Sequence, residues 1–525
     1  MKHLSTLIFL FYFQISNSQT YDWVNLIGGD GFDFSNQVAI DNEGNVYNSG
    51  FYRQGNFMIG DSILPFVDNM DSYFAKYSPT GDLSWVIPLY GAGTWDRTEA
   101  IQIASNGDVY LLSTVENELS IGGQEDILIP EENSFDILLM KFSAEGELLW
   151  HKIFGGSGTE LGYNMLINDQ EIILLGHFLE TLTMGDFELN ADDQDMFIAS
   201  LDLDGSVNWA KKYGGVGLDR LYSVAIHSNG DLAVCGYAKG DWQFGSTSLE
   251  SVVDVSFHSF IGRLDSEGNP IWAAQMLNEF STQAQNITTD NNGNSYISYY
   301  DNDYDKFQIA KYDVDGMPVW DYSSENSSDT LTALATEVKF MNGQLFVTGY
   351  LSKGNNLFGT VYNEIDNTDY LLAIVNPDGT LDTLLHDGGS GKLKSYGLNI
   401  DATGTAALSL IANGAVEINN TNLGVAIDDI VVLQMNIDDF LSSISDQNIL
   451  PNEIVLYPNP CSDVFYIENI TSNVFDQISI YNQLGELVLE QEYDDKIIVD
   501  ALESGYYLVS LTGKEKSVII KLIVE

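Results

Sequence analysis

The sequence predicts an all-β protein: a seven-bladed β-propeller closed by its N-terminal strand, followed by a small immunoglobulin-like β-sandwich. Three observations lead to this prediction. A tryptophan recurs every 48 to 65 residues, short strand-like runs with Gly-containing turns surround it, and the pattern changes near residue 454. Six of the eight tryptophans occupy the recurring position, namely Trp23, Trp85, Trp150, Trp209, Trp272 and Trp320.

The chain is long and strongly acidic, which limits the partners that it can have. Its 525 residues include 76 Asp and Glu against 21 Lys and Arg, a formal net charge of −55. Nucleic-acid binding depends on Lys and Arg that displace counterions from phosphates, so this balance argues against a nucleic-acid partner. The 44% hydrophobic and 12% aromatic content excludes a disordered acidic chain.

The first 18 residues have the pattern of a secretory signal peptide, with a basic start, an apolar run and a polar end. The apolar run is too short for a bilayer, which needs about 20 residues, and no later stretch is long and apolar enough. We therefore expect an exported chain without a transmembrane segment. The expected order is signal peptide 1–18, propeller 19–440, linker 441–453 and C-terminal domain 454–525.

Each repeat contains four strand-like parts. A Gly-containing turn such as 41–45 separates the first two, and its glycine supplies the positive φ that a tight hairpin needs. The third part opens with Asp, as in 71–77, and the fourth carries the tryptophan. Four short strands in roughly 60 residues are typical of a propeller blade, and neighbouring blades must stack to bury their faces. We expect the tryptophan strand to be outermost, with its ring packed on the adjacent sheet.

The two ends of the repeat region complement each other. It begins with a fourth-type strand at 21–27 and ends with a third-type strand at 430–435. The N-terminal strand is therefore expected to complete the last blade, which closes the ring and leaves no open sheet edge. This count gives seven blades, with Thr383 in the tryptophan position of the seventh copy. The fifth copy is short and lacks the excursion between its second and third strands.

The turn Gly-Gly-x-Gly after the tryptophan, the hairpin at 44–47 and the run at 71–77 resemble the bacterial seven-bladed β-propeller repeat family, the SBBP repeats. The resemblance covers residues 21 to about 440. It implies the propeller fold but no particular activity, because propellers host many activities.

A second set of motif residues lies in the C-terminal domain. They are Tyr457, Pro458, Asn459, Pro460, Gly485, Leu502, Gly505, Tyr506 and Lys521. These residues resemble the type A C-terminal sorting domain of the Bacteroidota type IX secretion system. The resemblance implies an interaction with the type IX machinery, translocation across the outer membrane, and a product that is anchored at the surface or released. The alternative is a plain immunoglobulin-like sandwich with no sorting role.

Few residues suggest chemistry. The Gly-rich segments such as 28–31 recur between strands, so they are interpreted as inter-blade turns and not as phosphate loops, which open a helix. Alternating oxygen ligands make Asp301, Asp303 and Asp305 weak candidates for a calcium site, whereas the turns at 202–205 and 313–316 are interpreted as structural. The histidines show no metal-binding spacing. We predict no catalytic residue and no cofactor, with calcium as the one candidate exception.

The sequence favours a monomeric, non-enzymatic binding or adhesion module for a polysaccharide or a surface protein. One alternative is a structural surface scaffold without a discrete ligand. The other is a secreted enzyme, either a hydrolase or lyase, or a quinoprotein whose tryptophan-docking motif resembles Thr80, Gly81 and Trp85. Quinoproteins typically have eight blades and often adjacent cysteines, whereas Cys235 and Cys461 are far apart. Exposed aromatics on one face would indicate binding, and convergent carboxylates with perturbed pKa values would indicate catalysis.

Overall fold

The structure of the chain is a computed structural model. It divides into two compact units, residues 1–436 and 437–525. The structure describes residues 21–437 apart from 68, 94, 124, 129–133, 246, 250–256, 277–281, 302–305, 326–331, 363–364, 366, 419–420 and 424–427, together with 455–457, 459, 461, 464–468, 475–482, 487–493, 496–499, 502, 505–512 and 517–524. The predicted signal peptide and the predicted linker lie outside these residues.

The N-terminal unit consists of β-strands arranged in successive antiparallel groups. The first strands are β1 (Tyr21–Ile27), β2 (Phe32–Ile40), β3 (Val46–Arg53), β4 (Met58–Ile59), β5 (Ser62–Ile63), β6 (Asp71–Tyr77), β7 (Leu83–Gly91), β8 (Arg97–Ile103), β9 (Val109–Glu116), β10 (Glu118–Ile121), β11 (Glu125–Leu128), β12 (Phe135–Phe142), β13 (Leu148–Phe154), β14 (Glu160–Ile167), β15 (Glu171–Met184), β16 (Phe187–Asp202) and β17 (Val207–Gly215). The following strands are β18 (Arg220–Ile226), β19 (Leu232–Ala238), β20 (Trp242–Phe244), β21 (Thr247–Leu249), β22 (His258–Leu264), β23 (Pro270–Gln275), β24 (Thr282–Thr289), β25 (Ser295–Asp301), β26 (Gln308–Tyr312), β27 (Pro318–Ser323), β28 (Ala333–Met341), β29 (Gln344–Ser352), β30 (Asn356–Leu357), β31 (Thr360–Val361), β32 (Thr368–Val375), β33 (Leu381–Asp387), β34 (Lys392–Ile400), β35 (Thr405–Asn413), β36 (Glu417–Ile418), β37 (Thr421–Asn422) and β38 (Asp429–Asn436).

In each group four long strands pair antiparallel in chain order. The first group is β2-β3-β6-β7. The next groups are β8-β9-β12-β13, β14-β15-β16-β17, β18-β19-β22-β23, β24-β25-β26-β27 and β28-β29-β32-β33. The last group differs because its fourth strand is the N-terminal β1, which pairs with β38 in the order β34-β35-β38-β1. The first and last strands of the unit are therefore neighbours in one sheet.

The first strand of every group contacts the first strand of the next group. These contacts run from β2 through β8, β14, β18, β24, β28 and β34, and β34 contacts β2 again. Buried apolar side chains fill the space between groups. Phe74 of β6, for example, lies 5.3 Å from the ring centroid of Phe142 on β12. The core is therefore a series of layers between facing sheets, because one sheet cannot shield both of its faces.

Short hairpins connect most groups to the preceding one. The hairpin strand β10 pairs with β7, and β20 pairs with β17. Single bridges join four further pairs, Gly28 with Met58, Gly155 with Thr183, Glu325 with Asn356, and Gly389 with Val416. Between β25 and β26, where the fifth copy is short, the described residues include no such strand.

Each recurring tryptophan lies on the last strand of its group and covers a turn of the next group. A Cβ on Gly81 would lie 2.7 Å from the Cγ of Trp23, and Gly81 has a φ of +83°. The pairs are Trp23 with Gly81, Trp85 with Gly146, Trp150 with Gly205, Trp209 with Gly268, Trp272 with Gly316, and Trp320 with Gly379. Only Trp23 is buried, and the other five are half-buried, because a turn at the edge of a sheet shields one ring face.

The C-terminal unit contains two small antiparallel sheets. Its strands are β39 (Val455–Tyr457), β40 (Val464–Glu468), β41 (Gln477–Tyr481), β42 (Leu487–Glu492), β43 (Lys496–Ile498), β44 (Gly505–Thr512) and β45 (Ser517–Val524). One sheet has the order β39-β40-β43 and the other β42-β41-β44-β45. Buried residues from both sheets, such as Phe465 and Ile480, form one apolar cluster. The two sheets therefore pack face to face as a sandwich.

Candidate ligand-binding cavity

The first strands of the groups surround a cavity of about 690 Å³, here called the inner cavity. Each of these strands carries a one-residue bulge at an equivalent position. The bulged residues are Asn36, Glu99, Tyr163, Tyr222, Gln285, Thr336 and Tyr396. All of them line the inner cavity. A bulge redirects a side chain that the regular alternation of a strand would point elsewhere, so the repeated bulges build this lining.

No sequence motif marks this ring of residues. The signal that could have found it is an acidic residue three positions before the bulge in four consecutive copies. Those acids are Asp33, Asp96, Glu160 and Asp219. The bulged residues include three tyrosines, two amides, a glutamate and a threonine, so no single residue type recurs at this position.

Aromatic rings form one wall of the inner cavity. Tyr163 and Tyr222 stack with centroids 4.5 Å apart and ring planes 24° apart. Tyr222 also lies 5.6 Å from Tyr237. In another part of the wall, Tyr396 lies 4.9 Å from Phe34. Tyrosine offers an apolar face and a polar hydroxyl, which suits a ligand that has both kinds of surface.

The carboxylates of the inner cavity each have a partner. Glu99 Oε1 accepts a 2.6 Å hydrogen bond from Arg97 Nε, and burial raises the pKa of Glu99 while Arg97 opposes the rise. Glu337 Oε2 accepts a 2.6 Å hydrogen bond from the backbone N–H of Leu398, and its Oε1 lies 3.0 Å from Lys339 Nζ. The two carboxylates are thus held separately, on β8 and β28.

Two smaller depressions share lining residues with the inner cavity. Trp95, which is 44% exposed, lines both the inner cavity and a depression of about 520 Å³ that includes Arg53. Tyr396 lines both the inner cavity and a depression of about 290 Å³ that includes Lys392 and Lys394. Arg53 of the first depression lies 5.8 Å from the ring centroid of Phe32, which lines the second, so the two depressions adjoin each other. A ligand longer than the inner cavity would therefore find further contacts beside it.

The predicted calcium residues are only partly described. Asp301 ends β25, where its backbone is opposite Thr282, whereas Asp303 and Asp305 lie outside the described residues. The turn at 313–316 is closed by its own carboxylate, because Asp313 Oδ1 accepts hydrogen bonds from the N–H groups of Asp315 and Met317. Within the described part of the chain, no group of three or more His, Cys, Asp or Glu could hold a metal ion.

Buried carboxylates lie between successive groups, beside the Gly-Gly turns. Burial is the main cause that raises the pKa of Asp33 and Asp219 to about 7, of Glu160 to about 8 and of Asp429 to about 6. Neighbouring carboxylates raise these pKa values further, as Asp136 does for Glu160.

The same carboxylates explain the first glycine of the Gly-Gly turns. A Cβ on Gly214 would lie 2.2 Å from Asp195 Oδ1 and 2.9 Å from Asp219 Oδ2. Gly28, Gly155 and Gly388 would meet a carboxylate in the same way. These turns are therefore glycine because a buried carboxylate occupies the space of a side chain, and not because they hold a phosphate.

The described sorting residues lie on strands of both sheets of the C-terminal unit and in the segments between them. Asn459 Oδ1 accepts a 2.9 Å hydrogen bond from the backbone N–H of Ile523 on β45. Tyr457 ends β39, and the N–H of Leu502 donates a 3.0 Å hydrogen bond to the carbonyl of Val499. Gly505 and Tyr506 begin β44, and Lys521 pairs with Leu508 in β45. Pro458, Pro460 and Gly485 lie outside the described residues.

A family comparison identifies the C-terminal unit. Residues 455–525 match the family of secretion system C-terminal sorting domains. The chain is therefore exported through type IX secretion, to the cell surface or as a released protein. In the described residues, no helix is both long and apolar enough to cross a membrane.

The chain also has distant relatives among curated proteins. It is 20% identical over 353 residues to an uncharacterized WD repeat-containing protein of Acanthamoeba polyphaga mimivirus, covering 53% of this chain and 25% of the relative. It is 24% identical over 357 residues to the regulatory protein FlaEY of Caulobacter vibrioides, covering 60% and 36%. The matches span about a quarter to a third of the length of these relatives.

Solved structures with a similar all-β fold include WD40-type proteins. The Neurospora crassa Pan2 WD40 domain has a TM-score of 0.32 and 8% identity, covering 64% of this chain and 88% of that chain. Sqt1 from Chaetomium thermophilum has a TM-score of 0.38 and 9% identity, covering 79% and 100%. Both TM-scores are low, and the architecture of this chain is defined by its own strand pairing.

Proposed function

We propose that this exported chain is a non-enzymatic, seven-bladed β-propeller that binds a saccharide in its inner cavity. The proposed repeats are of the SBBP type, and the proposed source is a member of the Bacteroidota. The single observation that carries the binding role is the set of bulged residues that converge on the inner cavity. A monomer without a cofactor is sufficient for this function.

Strand pairing supports the seven-bladed, closed architecture. Each four-stranded group corresponds to one blade, and the first strands contact one another in a continuous series that returns from β34 to β2. The pairing of β1 with β38 supplies the fourth strand of the last blade. A ring joined in this way leaves no open sheet edge in its last blade.

The composition of the inner cavity supports a saccharide ligand. Concave sites with aromatic walls and a few convergent polar groups are the usual form of small-ligand sites. The apolar faces of sugar rings stack on aromatic rings such as Tyr163, and their hydroxyls pair with amides such as Asn36 and Gln285. The two depressions that share lining residues with the inner cavity favour a polymer over a single sugar.

The carboxylates of the inner cavity favour binding over catalysis. A hydrolase of the usual kind needs two carboxylates that act together across one bond. Glu99 is held by Arg97, and Glu337 accepts a backbone N–H and pairs with Lys339. Neither Glu99 nor Glu337 is therefore free of a partner, as a general acid or base in hydrolysis would be.

The test is a thermal melt of the mature full-length chain with a panel of polysaccharides, repeated with calcium and with EDTA. A ligand at a hundred times its dissociation constant stabilises the folded state by about 2.7 kcal/mol, which raises the melting temperature. Tyr163→Ala should abolish the shift, whereas Tyr90→Ala, on the outer strand β7, should preserve it. If no polysaccharide shifts the wild type, the binding proposal fails and a structural scaffold remains. If EDTA removes the polysaccharide-induced rise in melting temperature, the proposal that binding needs no metal ion fails.

A further inference from the structure

Arginine side chains are concentrated around the inner cavity, although the chain as a whole is strongly acidic. The sequence contains only four arginines, Arg53, Arg97, Arg220 and Arg263. Arg97 and Arg220 line the inner cavity, and Arg53 lines the depression that shares Trp95 with it. The lining balances these two arginines against Glu99 and Glu337, so it repels an anion less than the rest of a chain with a net charge of −55.

The two arginines of the inner cavity have different partners. Arg97 is neutralised by Glu99, at 2.6 Å. Arg220 forms no ion pair with a carboxylate in the described residues, and its one hydrogen bond is a 3.4 Å contact from Nη1 to the hydroxyl of Tyr222. Its Nε is buried and has no acceptor there. Of the two arginines in the inner cavity, Arg220 is the one without a carboxylate partner among the described residues.

The surroundings of Arg220 hold its guanidinium among aromatic rings. Its Cζ lies 5.8 Å from the ring centroid of Tyr237, and Tyr222 stacks on Tyr163 beside it. The centroid of the buried imidazole of His177 lies 5.2 Å from that of the Tyr163 ring. Burial, and to a smaller extent the positive charge of Arg220, lowers the pKa of His177 to about 3, so this imidazole is neutral. A partly buried cation without a counterion is costly, and a charge-assisted pair with a ligand anion would remove that cost.

A second cationic position lies in the depression that includes Lys392 and Lys394. Lys392 and Lys394 line the depression that shares Tyr396 with the inner cavity, and Lys394 Nζ lies 4.3 Å from the ring centroid of Tyr350. Asp428 lies in the same depression and accepts a 2.7 Å hydrogen bond from Asn413. A polymer with a charge on successive sugars would place further anions near these lysines.

We infer that the ligand is an acidic saccharide, whose carboxylate or sulfate group pairs with Arg220 while its sugar rings stack on the neighbouring tyrosines. This inference rests on the proposed saccharide-binding function and names the class of its ligand. A guanidinium binds carboxylate and sulfate through two parallel N–H···O bonds, which a lysine cannot reproduce.

The experiment compares polygalacturonic acid, dextran sulfate, neutral galactan and neutral dextran by isothermal titration calorimetry with the full chain. We expect the acidic polymers to bind at least tenfold more tightly than their neutral counterparts, and the preference to weaken as salt is raised. Arg220→Gln should remove the preference, so that acidic and neutral polymers bind with similar affinity. Arg220→Lys should restore part of it. Lys211→Gln, which removes one charge on the outer strand β17, should change nothing.

The outcomes separate the two proposals. Equal binding of acidic and neutral polymers, with no effect of Arg220→Gln, would overturn the acidic ligand and preserve saccharide binding. Binding of neither kind would overturn both. Preference for one acidic group over the other would identify carboxylate or sulfate as the group that pairs with Arg220. A melting temperature for Arg220→Gln equal to the wild type excludes unfolding as the cause of lost binding.

Discussion

The indole Nε1 of Trp23 donates a 2.8 Å hydrogen bond to Oε1 of Gln434, which lies 411 positions later in the chain. The two residues face each other on β1 and β38, the first and last strands of the N-terminal unit. The same ring covers Gly81 in the following group. One side chain therefore joins the beginning of the chain, the end of the repeat region and the neighbouring sheet.

The turn glycines beneath the tryptophans should be intolerant of a side chain. Gly81→Ala introduces both a positive-φ alanine, at a cost of about 1–2 kcal/mol, and a clash with Trp23. Gly230→Ala introduces the same backbone strain at φ +90°, but nothing lies within 4 Å of its Cβ. Chemical denaturation should show a larger loss for Gly81→Ala, and equal losses would contradict the packing of Trp23 on the turn.

Trp242 should contribute more to stability than the recurring tryptophans. It lies outside the repeat position and is 1% exposed, in the hairpin strand β20 that pairs with β17 of the preceding group. Trp242→Ala should cost about 3–5 kcal/mol, and Trp272→Ala, at a half-buried position, roughly half of that. Melting temperatures of the two variants test the order, and the reverse order would mean that the hairpins contribute little.

Stability should fall as pH rises from about 4 to about 8. Burial raises the folded-state pKa values of Asp33 and Asp219 to about 7 and of Glu160 to about 8, well above those in the unfolded chain. The folded state therefore binds more protons in this range, and the stabilisation present below pH 4 is lost as these groups ionise.

Melting temperatures across this pH range, in high salt to screen the net charge, measure the effect. Asp219→Asn removes one titrating group and should flatten the slope near pH 7. If the melting temperature of the wild type rises with pH in this range, Asp33, Asp219 and Glu160 are already ionised in the folded state below pH 7.

Trp95 should affect the binding of long saccharides more than that of short ones. It is exposed and lines both the inner cavity and the neighbouring depression, so a short ligand can occupy the cavity without it. Trp95→Ala should weaken polymer binding about tenfold and leave the melting temperature within about 1 °C of the wild type. Ile271→Ala, an exposed residue on β23, is the matched control. A uniform loss for all ligand lengths would place Trp95 within the main site.

Asn459 should be required for efficient export. Its side-chain carbonyl fixes the last strand through the N–H of Ile523. Asn459→Ala removes this acceptor and should raise the fraction of chain retained in the periplasm, measured by cell fractionation and immunoblotting. Asn459→Asp keeps an acceptor oxygen and should be exported more efficiently than the alanine variant. Equal export of the wild type, Asn459→Ala and Asn459→Asp would show that the hydrogen bond from Ile523 to Asn459 is not needed for export.

The predicted order of strands follows closely from local chemistry. The Gly-containing turns determine where hairpins form, because only glycine adopts their positive φ at low cost. The short fifth copy coincides with the place where the described residues contain no connecting hairpin. The sorting domain was recognisable because its motif residues recur along nearly the whole domain, from Tyr457 to Lys521, and the family match at 455–525 agrees.

Other features depend on contacts between distant parts of the chain. Thr383 replaces tryptophan in the seventh copy, and the following group explains why. Its third and fourth strands, β38 and β1, come from opposite ends of the unit, so no hairpin turn joins them for an indole to cover. The glycines of the Gly-Gly turns likewise reflect carboxylates of other strands, such as Asp195 beside Gly214.

The sequence by itself determined the all-β class, the repeat and the export route, because these depend on turn residues, periodicity and a local motif. Only the tertiary structure decided which residues meet in the inner cavity. Successive bulged residues are about 50 to 65 positions apart and are not of one residue type. They converge because each first strand carries a bulge at the equivalent position and the first strands pack beside one another. In the cavity that they form, Arg220 has no carboxylate partner among the described residues.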